Sequence, residues 1–312
     1  MKKDLTRIPD LTKEEILAIV RRAFEFKAKK DMGLRYENLL NGKSVAMIFE
    51  KPSLRTKVAF ELATSYLGGI PIFLASSQIL ASGNNERGRE SIPDIARNLE
   101  RFVDLILARV YSHDTIKTIS DIVEKPVINA LCDKHHPTQA LADLMAITWR
   151  KKSTNGLTVA FIGDGNNVAT SLMQMCAIVG MNFKIASPKG YEIPVSEQKD
   201  IEQNAIQNGV SSVFLRDPNE AISDADIVYT DTFVSMGQEA EKEKRLHDFK
   251  GYQVDDDLLK FAKPDALFMH DLPAHRGEEV TDAIIDGPKS IVFDQAECRL
   301  HIAKSLLSFY LS

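Results

Sequence analysis

The segment Ser53-Leu54-Arg55-Thr56-Lys57 has the residue types in this sequence that are best suited to holding a phosphate. It follows an apolar run at 45–49, typical of a strand buried on both faces, and it opens a stretch with helical spacing. Ser53 falls at the N-cap of the predicted helix, whose first turn offers unpaired backbone N–H groups and the positive end of the helix dipole. The added hydroxyls and cations predict a phosphate site, although a capped surface helix with solvated basic residues explains the same pattern.

Arg109, His136 and Gln139 are further polar residues at the ends of predicted elements. Arg109 follows the predicted strand 105–108, at the carboxyl edge where open α/β sheets place ligands. Pro137 suits the first turn of a helix, which puts His136 at the cap and Gln139 one turn on, facing the same way. An imidazole beside an amide suits a carbonyl and its amide nitrogen. A surface arginine and a helix-capping histidine are the alternatives.

The turn Asp231-Thr232-Phe233-Val234-Ser235-Met236-Gly237 follows a predicted strand at 227–230. It offers a carboxylate, a hydroxyl and backbone amides on one strand-to-helix turn. These groups match the ammonium and carboxylate ends of an amino acid. Turn capping by the aspartate and the serine is the simpler alternative.

The turn Gly163-Asp164-Gly165-Asn166-Asn167 follows another predicted strand at 157–162. It lacks the third glycine of a dinucleotide-binding turn, and the next predicted strand does not end in a ribose-binding acid. The sequence therefore argues against a dinucleotide site.

Composition and charge exclude several other classes of protein. The 312 residues include 44% hydrophobic and 27% charged residues, as in a soluble globular chain, and their net charge of −5 argues against a nucleic-acid binder. No apolar run reaches the length of a membrane span and the first residues do not resemble a signal peptide, so the sequence predicts a cytoplasmic protein without a membrane partner. Cys132, Cys176 and Cys298 lack the spacing of a disulfide framework or a zinc site.

Predicted strands and helices form two βα series separated by the charged, Gly-ended linker 150–156. The first domain is expected at 1–150, joined by a closing helix at 295–312, and the second at 151–294. The polar segment 76–90 is predicted to be a lid or interface loop, with plain disorder as the alternative. Residues 239–250, dense in Glu and Lys, are predicted to form a solvated helix.

Seven motifs occur in order over nearly the whole chain. They are Phe49-Glu50-Lys51-x-Ser53-x-Arg55-Thr56, Ala108-Arg109-Val110-Tyr111, His136-Pro137-Thr138-Gln139, Gly163-Asp164-Gly165-Asn166-Asn167, Asp231-x-x-x-Ser235-Met236-Gly237, His270-x-Leu272-Pro273 and Glu297-x-Arg299-Leu300-His301. In this order they resemble the motifs of the aspartate/ornithine carbamoyltransferase family, and within it those of the branch that acts on ornithine.

The resemblance implies two similar-sized α/β domains, each a parallel sheet flanked by helices, with the C-terminal helix packing back on the first domain. It implies transfer of the carbamoyl group from carbamoyl phosphate to the δ-amine of L-ornithine, giving L-citrulline and phosphate in arginine metabolism. The first domain would bind carbamoyl phosphate and the second ornithine. It further implies a homotrimer, or a multiple of trimers, with active sites shared between subunits, and no metal or organic cofactor.

The resemblance also implies roles for individual residues. Thr56, Arg109 and His136 would polarise the carbamoyl oxygen, and Gln139 would orient the carbamoyl nitrogen. The implied carbamoyl-phosphate ligands are Ser53, Leu54, Arg55, Thr56, Lys57, Gln78, Arg109, His136, Gln139, Leu272 and Arg299. The implied ornithine ligands are Asn167, Asp231, Ser235, Met236 and Asp271. Asp271 would lie by the reacting amine and counts among the catalytic candidates.

Two residues depart from the family pattern. Lys57 replaces the usual arginine and cannot form a bidentate guanidinium contact. Asp271 replaces the cysteine of the ornithine enzymes, and a carboxylate there favours the protonated, non-nucleophilic amine, acts as a base, or selects another amine. Putrescine or a modified ornithine is therefore an alternative substrate, whereas aspartate is disfavoured by the acids of the second domain. A catalytically impaired protein that binds carbamoyl phosphate is the alternative from another class.

Overall fold

The computed structural model of this chain describes residues 2–75, 90–235 and 237–311. Gln78 and Met236, two of the predicted ligands, lie outside the described residues, as does most of the predicted loop 76–90. The chain divides into two compact units. The first contains Met1–Met145 and Glu297–Ser312, and the second contains Ala146–Ala296.

Each unit is built on a parallel sheet, which confirms the predicted fold class. The first sheet has the strand order β2-β1-β3-β4 and the second has the order β7-β6-β5-β8-β9. The strands are β1 Ser44–Phe49, β2 Ile70–Ala75, β3 Leu105–Arg109, β4 Val127–Leu131, β5 Thr158–Ile162, β6 Asn182–Ala186, β7 Ser212–Leu215, β8 Ile227–Thr230 and β9 Leu267–Met269. The central strands are short apolar runs, as expected where helices cover both faces of a sheet.

Helices connect the strands and flank both sheets. Those within the described residues are α1 Lys13–Asp31, α2 Leu54–Tyr66, α3 Ile92–Phe102, α4 His113–Ile122, α5 Pro137–Lys151, α6 Asn167–Val179, α7 Val195–Gln207, α8 Pro218–Ile222, α9 Lys242–Asp248, α10 Asp256–Leu259, α11 Asp282–Ile285 and α12 Val292–Leu311. None of them is both long and apolar enough to cross a lipid bilayer.

The C-terminal helix α12 packs on the first unit, as predicted. Ser305 Oγ donates a hydrogen bond to the carbonyl of Ile19 at 2.7 Å, and Tyr310 Oη donates to the carbonyl of Asp4 at 3.2 Å. The side chains of Leu306 and Leu307 are completely buried. Because α12 is fixed at several points, Arg299 near its middle has a defined position.

The turn after β5 is shaped by a close approach of the chain to itself. Gly165 N donates to the carbonyl of Tyr191 at 2.7 Å, and a Cβ atom on Gly165 would lie only 2.1 Å from the backbone nitrogen of Ile193. Glycine is therefore required here for the packing of residues 190–193, a role unrelated to a pyrophosphate.

The charge-dense segment 239–250 differs in one respect from the predicted solvated helix. It forms a 3-10 turn at Glu239–Glu241 followed by α9, and most of its side chains are exposed. Among its charged side chains Arg245 is the exception, because it is only 4% exposed. Its partners, described below, are in other parts of the second unit.

Candidate active site

The predicted phosphate turn lies between β1 and α2. Ser53 occupies the N-cap of α2 with an extended backbone, yet its hydroxyl does not cap the helix. The alternative of an ordinary serine-capped helix is therefore not what the structure contains. The first-turn N–H groups have no intrahelical acceptors and suit an anion.

Thr56 brings two arginines together in the first unit. Its Oγ1 accepts a hydrogen bond from Arg299 Nη2 and another from Arg109 Nη1, the latter at 3.5 Å. Thr56, Arg109 and Arg299 are all buried. Two guanidinium groups converging on one neutral oxygen leave a concentrated positive charge in a poorly solvated place, which favours an anionic or strongly polarised ligand.

His136 lies beside this pair of cations and is buried. Burial lowers the pKa of His136 well below its usual value, and the charges of Arg299 and Arg109 lower it further. The imidazole is therefore neutral near pH 7, and a neutral imidazole carries one N–H donor. Its carbonyl accepts from the amides of Gln139 and Ala140, at 3.1 and 3.2 Å, which is the backbone role of an N-cap.

Gln139 has a fixed amide orientation. Its Nε2 donates to Asp143 Oδ1 at 2.8 Å. Its Oε1 is buried and has no hydrogen-bond partner among the described residues. Such an acceptor suits an N–H donor of a ligand, because leaving it unsatisfied is costly.

The other predicted residues of the phosphate turn are more exposed. Leu54 is exposed and Arg55 is half-buried. Lys57 Nζ lies 3.8 Å from the centre of the Phe73 ring and 3.8 Å from Glu61 Oε1. Sequence reasoning did not select Lys51. Burial lowers the pKa of its ammonium group, and the nearby guanidinium of Arg109 lowers it further. The place of Lys51 in the turn after β1 was the available signal.

In the second unit, Asp231 and Asp271 form a pair of carboxyl groups whose oxygens lie within 4.8 Å of each other. Burial raises the pKa of Asp231 well above its usual value, and the neighbouring Asp271 raises it further. Asp231 Oδ2 also accepts from Asn166 Nδ2 at 2.7 Å. Because like charges disfavour joint ionisation, the pair holds a proton more tightly than an isolated carboxylate.

Asn166 is a residue that the sequence analysis missed, since the resemblance had selected its neighbour. Its Oδ1 caps α6 by accepting from the amides of Val168 and Ala169, both at 3.0 Å, which leaves Nδ2 for Asp231. Asn167 Oδ1 also accepts from Val168, at 3.1 Å. The signal in the sequence that could have identified Asn166 is a pair of consecutive asparagines before an apolar helix.

The segment after β9 holds Asp271 and Leu272 in a fixed conformation. The amide of Leu272 donates to His270 Nδ1 at 2.9 Å, so the ring proton of His270 is on Nε2, which lies 3.2 Å from Glu279 Oε1. Leu272 has a left-handed backbone with φ of 62°. Strained residues of this kind cost about 1–3 kcal/mol and are enriched at functional sites.

Asp231, His270 and Asp271 bring possible metal-ligand atoms within 4.8 Å of one another. His270 has no ring lone pair to offer, however, because Nδ1 accepts from Leu272 and Nε2 carries the proton that faces Glu279. The two carboxyl groups disfavour each other's ionisation, and the pKa of Asp231 is raised. With no imidazole ligand, the two carboxyl groups fit an ammonium group better than they fit a metal.

Arg245 connects the two turns of the second unit that carry predicted ligands. Its guanidinium donates to the carboxylate of Asp164 and to the carbonyl of Phe233. It also lies over the Tyr191 ring at 4.7 Å. Burial raises the pKa of Asp164 to about 6, although the Arg245 charge acts in the opposite direction. Arg245 thereby holds the Asp231–Ser235 turn to the turn after β5.

Ser235 lies in the held turn and is half-buried. Its amide donates to Gln238 Oε1 at 3.0 Å. The predicted amino-acid ligands that the structure describes in this unit are thus carried by three segments: the start of α6, the turn after β8 and the turn after β9.

Comparisons with known proteins match the two parts of the chain to two family models. Residues 3–149 match the family model described as "Aspartate/ornithine carbamoyltransferase, carbamoyl-P binding domain", and residues 155–310 match "Aspartate/ornithine carbamoyltransferase, Asp/Orn binding domain". The chain is 49% identical over 307 residues to the anabolic ornithine carbamoyltransferase of Pyrococcus furiosus, covering 98% of this chain and 95% of that protein.

Solved structures give the same result. The ornithine carbamoyltransferase structure from Pyrococcus furiosus has a TM-score of 0.94 at 48% identity, covering 99% of this chain and 97% of that one. An acetylornithine transcarbamylase complexed with acetylcitrulline has a TM-score of 0.89 at 27% identity, covering 100% of both chains. The resemblance drawn from the motifs is confirmed: this chain belongs to the aspartate/ornithine carbamoyltransferase family.

Proposed function

We propose that this protein transfers the carbamoyl group of carbamoyl phosphate to the δ-amine of L-ornithine, giving L-citrulline and phosphate. The observation that carries the proposal is the buried cluster of Thr56, Arg109 and Arg299 beside a neutral His136. It is the arrangement that carbamoyl transfer needs, because attack on the carbonyl carbon builds negative charge on the carbonyl oxygen.

Carbamoyl phosphate is the proposed ligand of the first unit. The N–H groups of the first turn of α2, with Ser53, Arg55 and Lys57, would hold its phosphate. Arg109, His136 and Thr56 would donate to the carbonyl oxygen, and Gln139 Oε1 would accept from the carbamoyl NH2. Arg299 adds positive charge at the same centre. Leu54, Leu272 and Gln78 complete the proposed set on the family resemblance alone.

L-Ornithine is the proposed ligand of the second unit. Asp231 would receive the α-ammonium group, while Asn167, Ser235 and the Met236 amide would bind the α-carboxylate. Asp271 would lie by the δ-amine. The departing phosphate can take the proton that the amine loses, so no dedicated protein base is required.

The clusters also suggest where the domain boundaries lie. We propose that residues 1–150, with the closing helix 295–312, form the carbamoyl-phosphate domain and that 151–294 form the ornithine domain. The division into compact units changes at Met145 and again at Ala296, close to both limits.

A homo-oligomer, a trimer or a multiple of trimers, is part of the proposal. The exposed face of α2 carries Leu54, Val58 and Leu62 at i, i+4 and i+8, a pattern of one apolar stripe. Beside it, the edge strand β2 exposes Ile70 and Phe73. An apolar stripe next to a sheet edge that no described strand pairs is typical of a surface that another subunit covers. We further propose a cytoplasmic protein of arginine metabolism.

Another amine remains the alternative substrate because of Asp271. A relative of the same fold, the acetylornithine transcarbamylase, is complexed with a product of a modified ornithine. The test is carbamoyl transfer measured with L-ornithine, putrescine, N-acetylornithine and L-aspartate under identical conditions. We expect a clear preference for ornithine. Preference for another amine would reassign the substrate, and no phosphate release with any amine would favour a binding protein.

Thr56→Val provides the control for this assay. It retains the shape of the side chain while removing the acceptor of both arginines. Activity that survives in Thr56→Val at the wild-type level would exclude the first-unit cluster as the reaction centre.

A further inference from the structure

A cavity of about 110 Å³ lies in the first unit between α1, the end of α2 and α12. Its apolar wall is formed by Phe26, Tyr66 and Leu300. Its polar wall contains Lys30, Arg35 and Lys304, with His301 beside them. The proposed function uses none of these side chains.

The polar wall carries more positive than negative charge. Lys304, whose side chain is 4% exposed, lies 3.5 Å from Glu37 Oε1, but Glu37 also pairs with Lys29 at 2.6 Å. Lys30 pairs with Glu297 at 2.7 Å. Arg35 forms no side-chain ion pair or hydrogen bond with any described residue. The three cations of the wall, with Lys29 next to it, thus outnumber the two carboxylates Glu37 and Glu297, which are already engaged.

The shape and charge of the cavity define the class of ligand. An engineered, enclosed cavity of about 150 Å³ admits benzene, whereas this cavity is smaller but opens to solvent, so an aromatic ligand can enter it in part and extend beyond its mouth. Its aromatic and aliphatic wall suits an apolar body, and Arg35 with Lys304 suits a carboxylate or phosphate group. Lys304 Nζ also lies 4.4 Å from the centre of the Phe26 ring, so the charged and apolar walls adjoin.

The cavity shares two helices with the predicted phosphate site. Tyr66 is the last residue of α2, whose first turn holds Thr56, and Leu300 follows Arg299 in α12. Arg299 donates to Thr56 across these helices. A ligand that alters the packing of α2 against α12 would therefore act on this hydrogen bond.

We propose that the cavity binds a small amphipathic anion and that its occupancy changes the apparent affinity for carbamoyl phosphate. Binding of the anion does not depend on the assigned reaction. Its effect on the affinity for carbamoyl phosphate rests on the proposed function. Coupling free energies between sites are reciprocal, so carbamoyl phosphate must change the affinity for the anion by the same factor.

The test is calorimetric titration of the full chain with benzoate, phenyl phosphate and the neutral isostere benzamide. We expect benzoate or phenyl phosphate to bind and benzamide to bind at least about ten-fold more weakly, since charge-assisted contacts are lost. Arg35→Gln should weaken anion binding by a similar factor. Arg21→Gln, an exposed arginine on α1 outside the cavity, should leave it unchanged, and Thr56→Val, at the phosphate site, should not abolish it.

The opposite pattern would overturn the site. If Thr56→Val abolishes benzoate binding and Arg35→Gln does not, the anion occupies the phosphate site. If neither anion binds the wild-type chain, the cavity has no such ligand.

The coupling is tested by measuring the KM for carbamoyl phosphate with and without saturating benzoate. We expect benzoate to change this KM about five-fold in the wild type and in Arg21→Gln, but not in Arg35→Gln. A KM that stays unchanged although benzoate binds would overturn the coupling. If the wild-type chain shows no turnover, the proposed function is wrong instead.

Discussion

Asp231 and Asp271 bring carboxyl oxygens within 4.8 Å of each other, so ionisation of one carboxyl group opposes ionisation of the other. The pair stands at the two turns after β8 and β9, on adjacent strands of the second sheet. Asn166 holds one side of it, through Asp231 Oδ2. The raised pKa of Asp231 at the proposed amine site makes binding of ornithine dependent on pH, because Asp231 must be ionised to attract an ammonium group.

Asp271→Cys is predicted to move the pH optimum of citrulline formation downward by about one unit. Removing the like charge lowers the pKa of Asp231, so Asp231 ionises and binds ornithine at lower pH. It also removes a carboxylate that favours the ammonium form of the δ-amine. The measurement is the pH profile of kcat and of kcat/KM for ornithine. An unchanged profile would contradict both parts of the argument.

His136→Gln is predicted to lower kcat by roughly 100- to 1000-fold, the usual cost of losing one oxyanion donor. The loss should be the same at pH 6 and at pH 8, because the lowered pKa of His136 keeps the imidazole neutral over this range. His247→Gln, at an exposed histidine of α9, is the control and should retain activity. A defect confined to low pH would instead indicate that a protonated His136 takes part.

Much of the fold could be predicted because its signals are local. The apolar runs of β1, β3 and β5 and the proline at the start of α5 specify their elements without reference to distant residues. The motifs then placed Thr56 and Arg109 in one predicted site, and the structure brings them within 3.5 Å of each other.

Contacts between distant residues are what the sequence pattern could not reveal. Arg245 lies in a helix whose other charges are solvated, so nothing in the local pattern marks it as buried. Its partner Asp164 is in another βα unit. The choice of Asn166 over Asn167 as the partner of Asp231 likewise depends on the rotation of α6 relative to β8, which two identical neighbouring residues do not specify.

Arg245→Gln is predicted to reduce kcat/KM for ornithine by about 100-fold, since losing its contacts with Asp164 and Phe233 releases the turn that carries Asp231. It should also lower the stability of the second unit by about 3 kcal/mol, because Asp164 is left buried without its cation. The KM for carbamoyl phosphate should change little. Lys250→Gln, an exposed lysine after α9, is the control. Equal effects on both substrates would indicate general unfolding.

Gly165→Ala is predicted to destabilise the second unit by about 1–3 kcal/mol through overpacking. The added Cβ would lie 2.1 Å from the backbone nitrogen of Ile193 and 2.4 Å from the carbonyl carbon of Glu192, and backbone atoms cannot move aside as a side-chain end can. For a unit of this size each kcal/mol lowers the melting temperature by about 2–4 °C.

Gly156→Ala separates this steric effect from backbone strain. Gly156 has a φ of 71° and open space around its Cβ position, so alanine there meets only the cost of a left-handed backbone, about 1 kcal/mol. Thermal unfolding of both variants should therefore show the larger loss in Gly165→Ala. Because Asn166 follows Gly165 directly and holds Asp231, the same variant should also raise the KM for ornithine, whereas Gly156→Ala should not. Equal melting temperatures and KM values would show that the 190–193 segment can withdraw from the turn without disturbing Asn166.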